Sequence, residues 1–500
     1  MSAVAAPKLR RWLLWLGVVI LLVATVTVLA RRPITGAAIA AALRMAGAGD
    51  VTFDVTRSSP WAVELANLGF RMRTQRFDAK RVTLERTHWW APSLGVVRIE
   101  GAKLPVSVDG SGTNPWNWAT YSSGPAAKPA SALSVPVEEV SVDGVLVVGA
   151  AGQTDQEVRV EFAAKQASGS RWTGNVSAKA PGFATKIAGE FDVATNGMQF
   201  RATETALDLG RWQGFISQMV VLPGGRWEMA GQLRGSASGR YVDGKLTLAG
   251  DVELRDGRFA FPERNVIADG VSAKFFFTDL DKFISEPGEV RVAALSAGEI
   301  KATNLQLQLA FDTRERIAVQ RATLEAFGGR MATEPFKFFP QLSELEAVLL
   351  VDGLAVEQLL ALAKDVPAQA TGRVDGRVPL RIDGSGIRLG TGWLELKRGA
   401  YAEVKFNAEG LLTRGAAPSS AQYAVLKKIE AGLLRLKLSK LRLDIRPPKA
   451  PVGRSAIIQL SGEPVDPEVK APVTLDLNVN GPIESLLNLG LNNRVSFGGK

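Results

Sequence analysis

The strongest constraint on the fold of this chain is a period of two in its apolar residues. Val158, Val160 and Phe162 alternate with Arg159 and Glu161, and Val252 and Leu254 flank Glu253. Leu305, Leu307 and Leu309 enclose Gln306 and Gln308. Leu434, Leu436 and Leu438 enclose Arg435 and Lys437, and Leu475, Leu477 and Val479 enclose Asp476 and Asn478. Successive strand side chains point to opposite faces, so each run reads as a strand with one apolar and one polar face. Asp-Gly begins at positions 109, 143, 243, 256, 269, 352, 375 and 383, and Asn-Gly at 196 and 480. Both pairs suit two-residue hairpin turns, where the central residues need positive φ. The expectation is a mainly β chain of about 25 strands in successive antiparallel hairpins. Stacked at roughly 4.8 Å, they would extend about 120 Å.

Helical patches are few: Ile34–Ala46, Leu207–Val220, Val356–Lys364, Tyr423–Ala431 and Ile483–Leu489. None is long enough to cover a large sheet. The sheet must therefore cover itself, as a two-layer sandwich or as a long curled sheet, and the pattern alone leaves both open.

Composition removes several functions. The chain has no cysteine and one histidine, His88. Disulfides, thiolate nucleophiles, zinc fingers and a His-rich metal centre are excluded. There is no G-x-S-x-G elbow and no P-loop. The carboxylate pairs Glu138/Glu139 and Asp279/Asp281 read as solvated turn or strand-edge groups rather than as acid/base or calcium sites. No catalytic residue, cofactor or metal is assigned.

Trp12–Ala30 is an uncharged run of 19 residues, preceded by Lys8, Arg10 and Arg11 and followed by Arg31 and Arg32. It is long enough to cross a hydrocarbon core, with Trp12 and Trp15 at the cytoplasmic interface and the bulk of the chain outside the cytoplasm. A cleaved signal peptide ending at Ala30 is the competing reading. An exported chain disfavours nucleic acid as partner. Residues 1–32 read as cytoplasmic tip and anchor, 33–109 as a short helix and a membrane-proximal β unit, 110–134 as a Gly/Ser/Pro/Ala-rich linker, and 135–500 as the main β body. Trp61, Trp89, Trp90, Trp116 and Trp118 cluster near the anchor and suit either the bilayer interface or ordinary packing.

The net charge of +10 is unevenly placed. Half of it flanks the apolar run. Much of the rest lies in residues 427–454, where Arg435, Lys437, Lys440 and Arg442 would form a positive back to an apolar strand. That back suits phospholipid headgroups, or is simply a solvated strand face.

Several stretches, in their order and spacing, resemble the AsmA-like superfamily of Gram-negative envelope proteins, above all its YdbH-type branch. They include FDAKRVTLERTHWWAPSLGVVRIEGAKL (77–104), LRDGRFAFPERNVIADGVSAKFFF (254–277) and AFGGRMATEPFKFFP (326–340). Gly372-x-x-Asp375-Gly376-x-x-Pro379-Leu380, YAVLKKIEAGLLRLKLSKLRLDI (423–445) and LDLNVNGPIESLLNLGL (475–491) complete the set. The resemblance implies an inner-membrane anchor, a periplasmic curled antiparallel sheet with a hydrophobic groove, and non-catalytic passage of phospholipids between inner and outer membranes. The apolar members of the alternating runs would line that groove, and an outer-membrane-side partner would complete the crossing. An envelope scaffold or assembly factor for outer-membrane biogenesis is the alternative.

Overall fold

A computed structural model describes residues 31–45, 47–72, 75–87, 94–108, 137–150, 153–195, 197–219, 227–242, 245–298, 300–313, 315–339, 344–361, 368–383, 386–406, 410, 413, 417–446, 454–467, 469 and 471–480. The expected span Trp12–Ala30, with Trp12 and Trp15, lies outside them, as do His88, Trp89, Trp90, Trp116, Trp118 and the patch 483–489. Among the described residues no helix is long and apolar enough to cross a membrane. The chain divides into two compact units, one formed by Met1–Ala206, Gly214–Val220 and Ser238–Leu246, the other by Leu207–Gln213, Val221–Ala237 and Thr247–Lys500.

The first unit opens with helix α1 (residues 31–45). Strands β1 (Ala48–Ser58), β2 (Ala62–Met72), β3 (Gln75–Glu85) and β4 (Leu94–Val108) follow. Then come β5 (Val137–Ala150), β6 (Gln156–Ser168), β7 (Arg171–Ala180), β8 (Phe183–Asp192) and β9 (Gly197–Asp208). From β1 to β8 each strand pairs with the next. All these pairs are antiparallel except β4–β5, which is parallel and departs from the hairpin expectation. A parallel pair needs a crossover of a dozen or more residues, and residues 109–136 separate these two strands in sequence.

Next in sequence are helix α2 (Leu209–Met219) and strand β10 (Glu228–Val242). The ladder of the second unit then runs β11 (Lys245–Phe261), β12 (Val266–Asp279), β13 (Ile284–Ser285), β14 (Gly288–Ala297), β15 (Ile300–Thr313) and β16 (Arg316–Ala326). It continues through β17 (Gly329–Thr333), β18 (Phe336–Phe339), β19 (Glu344–Ala355) and helix α3 (Val356–Leu360). Strands β20 (Ala368–Thr371), β21 (Arg373–Asp383), β22 (Gly386–Leu389), β23 (Gly392–Leu396) and β24 (Glu403–Phe406) come next. Helix α4 (Ala421–Leu434) and strands β25 (Arg435–Ile445), β26 (Arg454–Pro464) and β27 (Val473–Asn480) complete it. Proline lacks the N–H that a ladder needs. Thus β17 and β18 are one strand broken at Glu334-Pro335, both halves pairing with β16 and with β19. The chain is mainly β with a few short helices, as the alternation predicts.

The Asp-Gly pairs have a different use from the expected one. Those at 143, 256, 269, 352 and 375 lie inside strands β5, β11, β12, β19 and β21. Several mark irregularities in the register, as around Gly257 between β11 and β12 and between Val351 and Leu354 of β19. Asp256 itself has φ 50° and Gly270 has φ 63°. Asp and Gly tolerate the left-handed backbone that such bulges require. The same residue chemistry serves hairpin turns and mid-strand kinks, so the dipeptide alone misassigns them.

Candidate functional site

In an antiparallel or parallel ladder, direct cross-strand partners share a face, so a chain of partners marks a row running across the strands. In the first unit such a row is Val55–Leu65–Val82–Ile99–Val142–Phe162–Val176–Ile187, apolar at every strand from β1 to β8. Its seven strand-to-strand steps extend roughly 34 Å at 4.8 Å each. The neighbouring row is Val63–Leu84–Val97–Val140–Ala164–Gly174–Gly189, apolar and then small. One pair further along each strand, Trp172 faces Phe191.

The small residues make a trough. Ala164, Gly174 and Gly189 form its floor, Phe162, Val176 and Ile187 one wall, and Trp172, Phe191 and Phe200 line it too, around about 470 Å³. A Cβ at Gly174 would lie 3.1 Å from the Ala163 carbonyl oxygen and one at Gly189 2.6 Å from that of Gln199. The sequence carried a signal for this. Trp172-x-Gly174 and Gly189-x-Phe191 are mirror images about the Ala180–Phe183 turn, so folding the hairpin sets glycine opposite glycine and aromatic opposite aromatic.

The second unit has its own rows. One runs Leu254–Ala273–Val290–Leu307–Ala322 over β11, β12, β14, β15 and β16. Two residues along β16 a second begins, Leu324–Met331–Val351–Gly376–Leu394–Leu443–Ile458–Leu477, and reaches β27. Beside the first row, Phe275, Phe277, Phe283 and Phe311 meet ring to ring, with Phe275–Phe311 centroids 5.1 Å apart and Phe283–Phe311 5.2 Å apart. Alternation missed this cluster because its members come from β12, β15 and the intervening turn.

The predicted residues fall on these faces. Val158 and Val160 join Phe162, pairing with Leu146 and Gly144. Val252 faces Phe275, Leu305 faces Val292, and Leu309 lies opposite Val319. Leu436 and Leu438 share a buried cluster with Val404 and Leu460, against which Leu475 packs. Val479 pairs with Ala456. Leu434 departs from the expectation: it closes α4, and the strand starts at Arg435, whose φ −148° and ψ 116° are extended. A bulge between Leu438 and Lys440 then transfers the inward set to Leu441, Leu443 and Ile445.

The apolar set is only partly covered. Along β6 the pattern alternates half-buried with exposed, Val158 alone being buried, and Leu477 is 39% exposed. A closed two-sheet core would bury the inward set on every strand.

The polar backs are knitted by ion pairs. Arg435 bonds to Glu403, which also accepts from the Tyr401 hydroxyl. Lys437 sits 5.9 Å over the Tyr401 ring, and Lys440 donates to Gln459 Oε1 at 3.1 Å. Arg442 reaches Glu395 and Asp444 and lies over Trp393. All four proposed headgroup cations therefore already have partners. Hydrogen bonds from Arg435 and Tyr401 hold the Glu403 carboxyl below its ordinary range, and Arg255 and Arg291 do the same for Glu253 and Glu289. Asp192, Asp279 and Asp352 are likewise held below their ordinary values, the opposite of a poised general acid. Asp279 is held down by the Lys282 backbone N–H and side chain in a turn. Among the described residues no group of acidic or histidine side chains could hold a metal ion.

Two units of successive strand pairing, each with apolar rows across one face and ion pairs on the polar backs, define a β-sheet protein whose distinctive surface is apolar. The profile of the YdbH-like family, described as intermembrane phospholipid transport protein YdbH, matches residues 113–398. The chain belongs to that family. No curated protein matches it, and no solved structure does.

Proposed function

We propose that this chain conducts phospholipids between the inner and outer membranes, with acyl chains lying along the apolar rows and headgroups kept in water. The observation that carries the reading is the apolar row across eight strands of the first unit and its counterpart in the second; Leu65 and Val82 are buried where α1 packs, and from Ile99 to Ile187 the first row is half-covered rather than sealed. Each methylene taken from water gains about 0.8 kcal/mol, so a lipid leaving a bilayer needs continuous apolar cover. No chemical step is required. On this reading Trp12–Ala30 anchors the chain in the inner membrane, the body 33–500 lies in the periplasm with 110–134 as its linker, and the lining set is Val160, Phe162, Val252, Leu305, Leu307, Leu475, Leu477 and Val479, supported by the buried Val158, Leu254, Leu309, Leu436 and Leu438. An outer-membrane-side partner receives the lipid.

The test combines charge and bulk. Leu307→Asp places a carboxylate in one row, and Gly174→Leu fills the trough. Both are expected to abolish lipid photo-crosslinking downstream of the change and to remove complementation in cells while the protein accumulates normally. Wild-type complementation and crosslinking in both variants would end the proposal.

A further inference from the structure

A second cavity, of about 1180 Å³, opens between α1 and strands β1–β4 of the first unit. Its chemistry differs from the trough's. One helix face supplies it: Pro33, Gly36, Ala37 and Ala40 lie at helical spacing, and their small size leaves the space open. Arg32 and Arg44 stand at the two ends of that face, about 18 Å apart along the helix axis. The strands contribute Arg76, Lys80 and Lys103, against only two carboxylates, Asp54 and Asp78.

Those two carboxylates are already engaged. Asp78 pairs with Arg76 at 3.0 Å, and Asp54 accepts from the Asn67 amide at 3.4 Å. Arg32, Arg44, Lys80 and Lys103 have no carboxylate partner among the described residues. This sets them apart from Arg435 and Arg442, which are paired with carboxylates within the chain. Apolar side chains lie in the same cavity. Val55 is the first member of the long row, and Leu68 and Ala79 belong to the buried cluster on which Ile39 and Leu43 of α1 pack. Polar and apolar residues reach one cavity because the strands kink here. Asn67 (φ 52°) and Gly101 (φ 63°) are left-handed, and a Cβ at Gly101 would meet the Lys80 stem at 2.7 Å.

We propose that this cavity is a phosphate-binding site that seats one phospholipid, its phosphodiester at Lys80 and Lys103 with Arg32 and Arg44 at the two ends of the cavity, and its acyl chains on the Val55 end of the row. Excess cation with no internal partner selects an anionic group, and half-buried Val55 sets the chains at the first strand of the row, ahead of Leu65 and Val82, which lie buried where α1 packs. The proposal rests on the transport reading, whose row it feeds.

The experiment uses the full chain purified in mild detergent. A photo-crosslinking amino acid at Ala40 reports on the cavity, and one at Leu307 reports on the apolar row of the second unit. Binding of a short-chain phosphatidylglycerol, the matching diacylglycerol and inorganic phosphate is measured alongside. Phospholipid is expected to crosslink at both positions and to bind at least tenfold more tightly than diacylglycerol. Lys80→Gln with Lys103→Gln is expected to weaken it about tenfold, and Lys80→Arg with Lys103→Arg to restore it. Crosslinks at Leu307 but none at Ala40 would overturn this site and leave transport standing; crosslinks at neither would remove both. Equal affinity for diacylglycerol, or a neutral pair of variants that binds as wild type, would also overturn it. Phosphate binding as tightly as the lipid would assign the site to free phosphate instead.

Discussion

At the scale of single residues, glycine shapes the surface as much as leucine does. Gly376 sits in the second row of the second unit, where a Cβ would lie 2.2 Å from the Trp393 carbonyl oxygen. Backbone cannot give way like a flexible side chain, so Gly376→Val is expected to destabilise the second unit by about 3 kcal/mol or more, read as a lower urea midpoint. The sequence made Leu305, Leu307 and Leu309 legible because alternation is a local property. It concealed the role of Gly376 and marked Gly174 and Gly189 only through the mirror symmetry of their hairpin, because a gap is defined by the neighbours that surround it and those come from other strands. The Phe275–Phe311 contact was hidden for the same reason.

At the scale of elements, strands were easier to read than their junctions. Period two located β6, β15 and β25, but Asp-Gly at 256 and 269 suggested turns where β11 and β12 run on through bulges. The helical patches fared well: 207–220 and 356–364 contain α2 and α3, and α4 extends the patch 423–431 at both ends. The start of α4 has a physical marker in Ser420, whose hydroxyl accepts from the Tyr423 N–H at 3.1 Å. Ser420→Ala should cost about 1 kcal/mol. The loss should appear as faster amide exchange in the first turn of α4, with the β7–β8 hairpin unchanged.

At the scale of the whole molecule, stability should respond to acid and little to neutral pH. Glu253, Glu289, Asp352 and Glu403 are depressed below their ordinary values by cationic hydrogen-bond partners. A depressed carboxyl stabilises the fold above its unfolded pKa, about 4, and loses that contribution as pH falls through the lower folded value. Lys397 is raised by Asp352, so its share is present below its unfolded pKa near 10.4 and lost as pH rises through the folded value. Melting temperature is therefore expected to be level between pH 6 and 8 and to fall below about pH 4. A steep change between pH 6 and 8 would contradict this. These pairs are solvent-facing, so high salt should weaken them.

The parallel β4–β5 pair also bears on how the chain folds. Hairpins such as β7–β8 close over a short turn and can form early and locally, in the manner of stacked repeats. Joining β4 to β5 instead requires the chain to close over residues 109–136, and the entropy of that closure must be met before any of its hydrogen bonds form. Formation of that junction should limit the folding rate of the first unit. Val97→Ala and Val140→Ala should then slow refolding, while Val176→Ala should mainly speed unfolding, a division that chevron plots would display. The parallel junction of β4 with β5 is thus also where assembly of the first unit would wait.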